Sequence, residues 1–194
     1  MTFYSWSLPN VIIANKKIIF NKIENIFANY FIIIYTKNEV MFMLDKAIEE
    51  ARITMNKNIG GPFGAIVTDK DNNIISVASN TVLGTYDPTA HAEVNAIRKA
   101  GSVLKDHDLS GCKLYTTSYP CPMCMAAIIW SNIKEVYYGS DVEDAAKIGF
   151  RDDFIYDFIK KDCKDDGILT IKQIEREKCV KLFDEYERKD KEIY

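Results

Sequence analysis

Four residues in two short segments have the types and spacing to do chemistry together. One segment reads Asp87-Pro-Thr-Ala-His91-Ala-Glu93, the other Pro120-Cys121-Pro122-Met123-Cys124. Zinc prefers tetrahedral nitrogen and sulfur ligands, and hydrolytic sites supply three from the protein while keeping the fourth position for water. His91, Cys121 and Cys124 make three. Two cysteines three residues apart at the start of a helix can converge on one ion, and Pro122 suits the first helical turn. The helix N-terminus and the ion both favour thiolate over thiol. Water held there is acidified to a pKa of about 7. A hydrolysis then needs a carboxylate to carry the proton from water to the leaving group, and Glu93 is the candidate. Residues two apart in a helix interior face different ways. Glu93 can therefore serve only if the metal lies near the helix end.

The same residue types have other uses. A lone Cys-x-x-Cys is commonly a redox pair or half of a structural zinc knuckle, and His-x-Glu alone is often a helix surface. A redox pair, however, needs no His-x-Glu before it. A structural zinc needs a fourth ligand, which only Cys112, Cys163, Cys179 or His107 could supply. Both motifs together, each opening a helix after a strand, favour the hydrolytic reading.

These side chains need a scaffold. Leu44, Ala47, Ile48, Ala51 and Met55 recur at spacings of three and four, predicting an amphipathic helix over about 41–57 that stops before Gly60-Gly61-Pro62. Strands are expected at 64–68 and 74–78, joined by the turn-forming Asp69-Lys-Asp-Asn-Asn73, and again at 113–117, 136–138 and 168–174. Helices are expected at 91–99, 123–130, 141–147, 154–160 and 180–189. Strands alternating with helices imply a three-layer α/β/α sandwich around a central mixed sheet of about five strands.

The chain has 194 residues, enough for one domain with a sizeable core. Residues 1–38 read differently from the rest: no glycine, one proline, four lysines and a single glutamate. They form an extension of unassigned role, read either as an accessory segment packed on the domain or as upstream-translated sequence, the latter suggested by Met41 and Met43 at the head of the first patterned helix. Residues 39–194 form the zinc-dependent domain. The net charge of −3 disfavours affinity built on neutralising many phosphates, so no nucleic acid is expected as partner. Five cysteines, an odd number with one close pair, argue against a secreted disulfide framework and for a reducing cytoplasm. The apolar run at 30–35 is far short of the roughly 20 residues of a spanning helix, so no membrane association is expected.

Residues from about 40 to 194 resemble the guanine deaminase branch of the cytidine deaminase-like superfamily, whose zinc enzymes carry His-x-Glu and Pro-Cys-x-x-Cys. The resemblance is carried by Gly60-Gly-Pro-Phe-Gly-Ala65, Asn80, Asp87 to Glu93, Cys121-Pro-Met-Cys124, Asp144-Ala-Ala-Lys-Ile-Gly-Phe150, Asp152-Asp-Phe-Ile-Tyr156 and Lys191-Glu-Ile-Tyr194. It implies one zinc ion per subunit and hydrolysis of guanine, a free purine base, at C2 to xanthine and ammonia. By the same resemblance Phe63 stacks on the purine, Asn80 hydrogen-bonds its edge, the Ala92 backbone N–H contacts it and Asp152 reads its amidine side. The C-terminal segment (about 157–194) is expected to cross to a second subunit, Tyr194 capping the neighbour's pocket in a domain-swapped homodimer.

Each role has a plainer counterpart: core packing for Phe63, turn chemistry for Asn80, a helix cap for Asp152 and a frayed end for Tyr194. Tyr119 departs from the family pattern, where glutamate often precedes the Pro-Cys pair. The roles of Asp141 and Glu143 stay open. A tRNA adenosine deaminase shares both motifs but needs a basic face. Another free base (cytosine, an aminopurine or a triazine) and a non-catalytic zinc protein complete the alternatives.

Overall fold

The computed structural model describes residues 38–193. The extension and Tyr194 lie outside them, apart from Asn38 at its end. Helix α1 covers described residues 38–56, three residues earlier than its apolar spacing suggests. It is followed by β1 (Gly64–Thr68), β2 (Ile74–Ser79), α2 (Val82–Thr85), α3 (Ala92–Leu104), β3 (Lys113–Ser118), α4 (Pro122–Trp130), β4 (Glu135–Ser140), α5 (Val142–Lys147), α6 (Asp153–Lys160) and α7 (Arg176–Arg188).

The strands form one mixed sheet in the order β2-β1-β3-β4. β1 runs antiparallel to both β2 and β3, and β3 runs parallel to β4, reached through α4. Every residue of β1 is buried, as expected of a strand covered on both faces. On one face Met43 and Ala47 of α1 pack on Ile66 and Tyr115. On the other, Ala92, Ala96 and Ala100 of α3 and Ile128 of α4 pack on Ala65, Val67 and Leu114. This is the α/β/α arrangement. Gly64 allows the closest approach of α1 to the sheet, since a Cβ there would sit 2.0 Å from the Ala47 carbonyl oxygen.

The described sheet has four strands, where about five were expected. Residues 168–174 are not a strand, and Ile168, Leu169, Ile171 and Ile174 are exposed. Their sequence has strand character, but a strand exists only with a partner, and no described segment pairs with them. Helix α7 likewise exposes Leu182 and Phe183 (65% and 71%).

Candidate active site

His91 and Cys121 occupy equivalent places: each is the extended residue immediately before a helix, α3 and α4 respectively. Cys124 lies in the first turn of α4, where Pro122 supplies the preset φ. Because α3 and α4 rest on the same sheet face, their N-termini meet. His91 Nδ1 is 3.6 Å from Cys121 Sγ and 3.5 Å from Cys124 Sγ. Tetrahedral zinc with ordinary bond lengths separates its nitrogen and sulfur ligands by about 3.6 Å. The donor set and its spacing fit zinc. The group has three members, and none of Cys112, Cys163, Cys179 or His107 joins it.

The electrostatics point the same way. The Cys124 hydrogen bond, against the cost of burial, pulls the Cys121 thiol well down, and His91 helps. The same sharing with Cys121, then burial, pushes the Cys124 thiol up. The opposite directions are those of one sulfur donating to the other, and a bound dication would favour thiolate at both. The nearby Cys121 also raises the His91 pKa.

Glu93, 6% exposed, is the second residue of α3, so the metal-site geometry at the helix end brings it within reach of the ligands. Its Oε2 lies 3.4 Å from Cys124 Sγ, and its Oε1 accepts a hydrogen bond of 3.0 Å from the Thr116 hydroxyl. Burial raises its pKa, which suits a group that must hold a proton between two transfers.

Above these residues opens a cavity of about 620 Å³, its wall formed by Phe63, Asn80, Val82, Leu83, Tyr119, Phe150 and Asp152 among others. The Phe63 ring is braced edge-on by Phe150, with centroids 4.9 Å apart and an 88° interplanar angle. Asn80 Oδ1 accepts from the backbone N–H groups of Gly61 (3.3 Å) and Val82 (3.2 Å). Two donors fix that atom as oxygen, so the amide nitrogen is the part of this cavity-lining side chain left to donate. Gly60 is required beside it, since a Cβ would fall 1.9 Å from the Asn80 carbonyl oxygen.

Asp152 precedes α6 but makes no side-chain cap bond, so its carboxylate is not spent on capping. Burial, then the Cys121 charge, raises its pKa. Ala92 is fully buried and absent from the cavity wall. Only its backbone N–H, in the first turn of α3, is left to offer. Tyr194 lies outside the described residues.

Tyr119 meets the Tyr138 ring edge-on at 5.1 Å, a contact rather than the hydrogen bonding a carboxylate would give. Asp141 caps α5 in a reciprocal box with Asp144. The Tyr156 hydroxyl donates to the Pro120 carbonyl at 3.2 Å, tying α6 to the cysteine loop, and burial pushes its pKa up to about 12.

Sequence reasoning missed Thr116, Ser118 and the apolar wall of Val82 and Leu83. A signal existed for the first two: they follow Leu114 at spacings of two, placing polar side chains on a core-facing row.

The model of the cytidine and deoxycytidylate deaminase zinc-binding region matches residues 37–140. The chain is 50% identical over 118 residues to the guanine deaminase of Bacillus subtilis (strain 168), covering 61% of this chain and 75% of that protein. It is 35% identical over 125 residues to the tRNA-specific adenosine deaminase of Buchnera aphidicola subsp. Schizaphis graminum, covering 64% and 79%. The X-ray structure of the Bacillus subtilis guanine deaminase is similar with a TM-score of 0.74 and 40% identity, over 79% of this chain and 98% of that one. That of a guanine deaminase from Nitrosomonas europaea gives 0.54 and 31%, over 57% and 63%. With a nitrogen and two sulfurs gathered at zinc spacing inside the matched region, the chain belongs to the zinc-dependent cytidine and deoxycytidylate deaminase family.

Proposed function

We propose that this protein hydrolyses guanine to xanthine and ammonia. The observation that carries the reading is the convergence of His91, Cys121, Cys124 and Glu93 at the base of a cavity walled by Phe63, Asn80 and Asp152. The likeness to Bacillus subtilis guanine deaminase supports guanine as the base.

His91, Cys121 and Cys124 would hold the zinc, which would supply a water acidified enough to act near neutral pH. Glu93 would carry one proton of the attacking water to a ring nitrogen and then move the remaining proton of the added oxygen to the departing amino group, which leaves as ammonia. Phe63, braced by Phe150, stacks on the purine. Asn80 donates from its amide nitrogen to an acceptor on the ring edge, the N–H of Ala92, which lies between the cavity-lining His91 and Glu93, donates to the base, and Asp152 accepts from its amidine side. The wall is mostly apolar, which strengthens each of these contacts where the bound base displaces water.

The segment 157–194 completes the site as a domain swap, with Tyr194 closing the neighbour's cavity. The open edge of β4 and the exposed apolar residues of 168–174 and α7 support this. Each is a surface that needs covering. The protein acts on a small base, and no helix among the described residues is long and apolar enough to cross a membrane.

The test is ammonia release from guanine, adenine, cytosine, an aminated triazine and an anticodon stem-loop, with zinc measured on the same sample. Guanine should be the preferred substrate. Turnover of the stem-loop with none on guanine would replace this reading with tRNA adenosine deamination.

A further inference from the structure

Thr116 is wholly buried on β3, between β1, where it faces Ala65, and β4, where it faces Tyr138. Leu114, Thr116 and Ser118 alternate with Tyr115 and Thr117, so the three share the face covered by α3 and α4. A hydroxyl on that apolar face is costly unless it finds a partner. The partner is Glu93 Oε1 at 3.0 Å. Thr116 does not line the cavity and is not one of the grouped metal ligands. Its reach ends at the carboxylate.

Once χ1 and χ2 are set, the terminal torsion of Glu93 decides how its two oxygens are presented, and that torsion is intrinsically broad. Anchoring Oε1 to a strand hydrogen-bonded on both sides leaves Oε2 on the ligand side, 3.4 Å from Cys124 Sγ. We infer that Thr116 is a positioning residue for the deamination: its hydroxyl holds one oxygen of Glu93 so that the other is aimed at the reacting water and leaving group. The inference rests on Glu93 being the proton shuttle of the proposed function.

The experiment compares wild type, Thr116→Val and Thr116→Ser, each loaded with zinc, using whichever base in the panel wild type turns over best. Valine keeps the branched shape and removes the hydroxyl. Its kcat should fall about 10- to 100-fold with KM within about twofold and zinc content unchanged. Serine should restore most of kcat. A crystal structure of the zinc-loaded valine variant should show the Glu93 carboxylate turned or spread over more than one rotamer. A valine variant within about twofold of wild-type kcat, a serine variant as slow as valine, or a carboxylate unmoved in the crystal would each overturn the assignment. If wild type prefers another base, the guanine reading fails while this comparison proceeds on that base. The crystallographic arm decides the role of Thr116 whatever the substrate.

Discussion

Asn80 has one contact seen in the structure, through its oxygen, and one proposed, through its amide nitrogen, and substitution separates them. Its oxygen holds the Gly61 and Val82 N–H groups at 3.3 and 3.2 Å, longer than the usual 2.9–3.0 Å. Each such bond contributes about 1 kcal/mol net, so Asn80→Ala should cost about 2 kcal/mol. For a chain of this size that lowers Tm by about 4–8 °C. Asn80→Asp keeps an acceptor toward both N–H groups but turns an oxygen, where the amide nitrogen stood, toward an acceptor on the base. Losing that donor at about 2–3 kcal/mol lowers kcat/KM by about 30- to 150-fold. Calorimetry and steady-state ammonia release on both variants, with zinc content as control, measure the two effects. The aspartate variant should keep more of its Tm than the alanine variant while losing turnover. If it melts as early as alanine yet retains wild-type kcat/KM, the division of labour assigned to this side chain is wrong.

Other outcomes follow from the same geometry. Glu93→Gln preserves an acceptor for Thr116 but cannot shuttle protons, so ammonia release should drop about 10²- to 10⁴-fold with zinc retained; loss of zinc or of folding would make Glu93 structural instead. Deleting 191–194 should impair turnover without changing zinc content, and a fully active deletion would remove Tyr194 from the site. Asp69 is held below the usual carboxylate range chiefly by the Asn73 side chain and backbone. Its folded pKa being depressed, the stabilising contribution is complete above the unfolded value of about 3.9 and is lost as pH falls through the lower folded value. The urea-stability gap between wild type and Asp69→Asn should therefore shrink below about pH 4; an unchanged gap at about pH 2 would disprove the linkage.

The sheet and its covering helices were legible because their segments are short and strongly patterned, from the continuous Gly64–Thr68 run to the spacing of Ala47 and Ala51. Boundaries were less so. Helix α3 runs to Leu104, through a Gly101 that lowers helix propensity but is tolerated. Helix α2 has only four residues, too few to show a period. Residues 168–174 are rich in the β-branched residues that strands favour, yet composition cannot supply the neighbour a strand requires. At the site, the metal ligands were readable because chemistry restricts both their types and their spacing. The oxygen-capturing role of Asn80 was not, since it depends on backbone groups of Gly61, 19 residues away in sequence. Nor was the bond between Thr116 and Glu93, which only tertiary packing brings together.

The sheet-facing side of α3 is built from Ala92, Ala96 and Ala100, all wholly buried, and the Ser76 hydroxyl donates to the Ala96 carbonyl at 2.8 Å. A methyl group is thus the gauge that sets how low the helix rides, and the imidazole at its tip rides with it. A valine inserted at position 96 would act as a shim, lifting one jaw of a clamp whose other jaw, on α4, stays in place. Metal affinity in this protein should therefore be adjustable from about one and a half helical turns away, by a residue with no chemistry of its own.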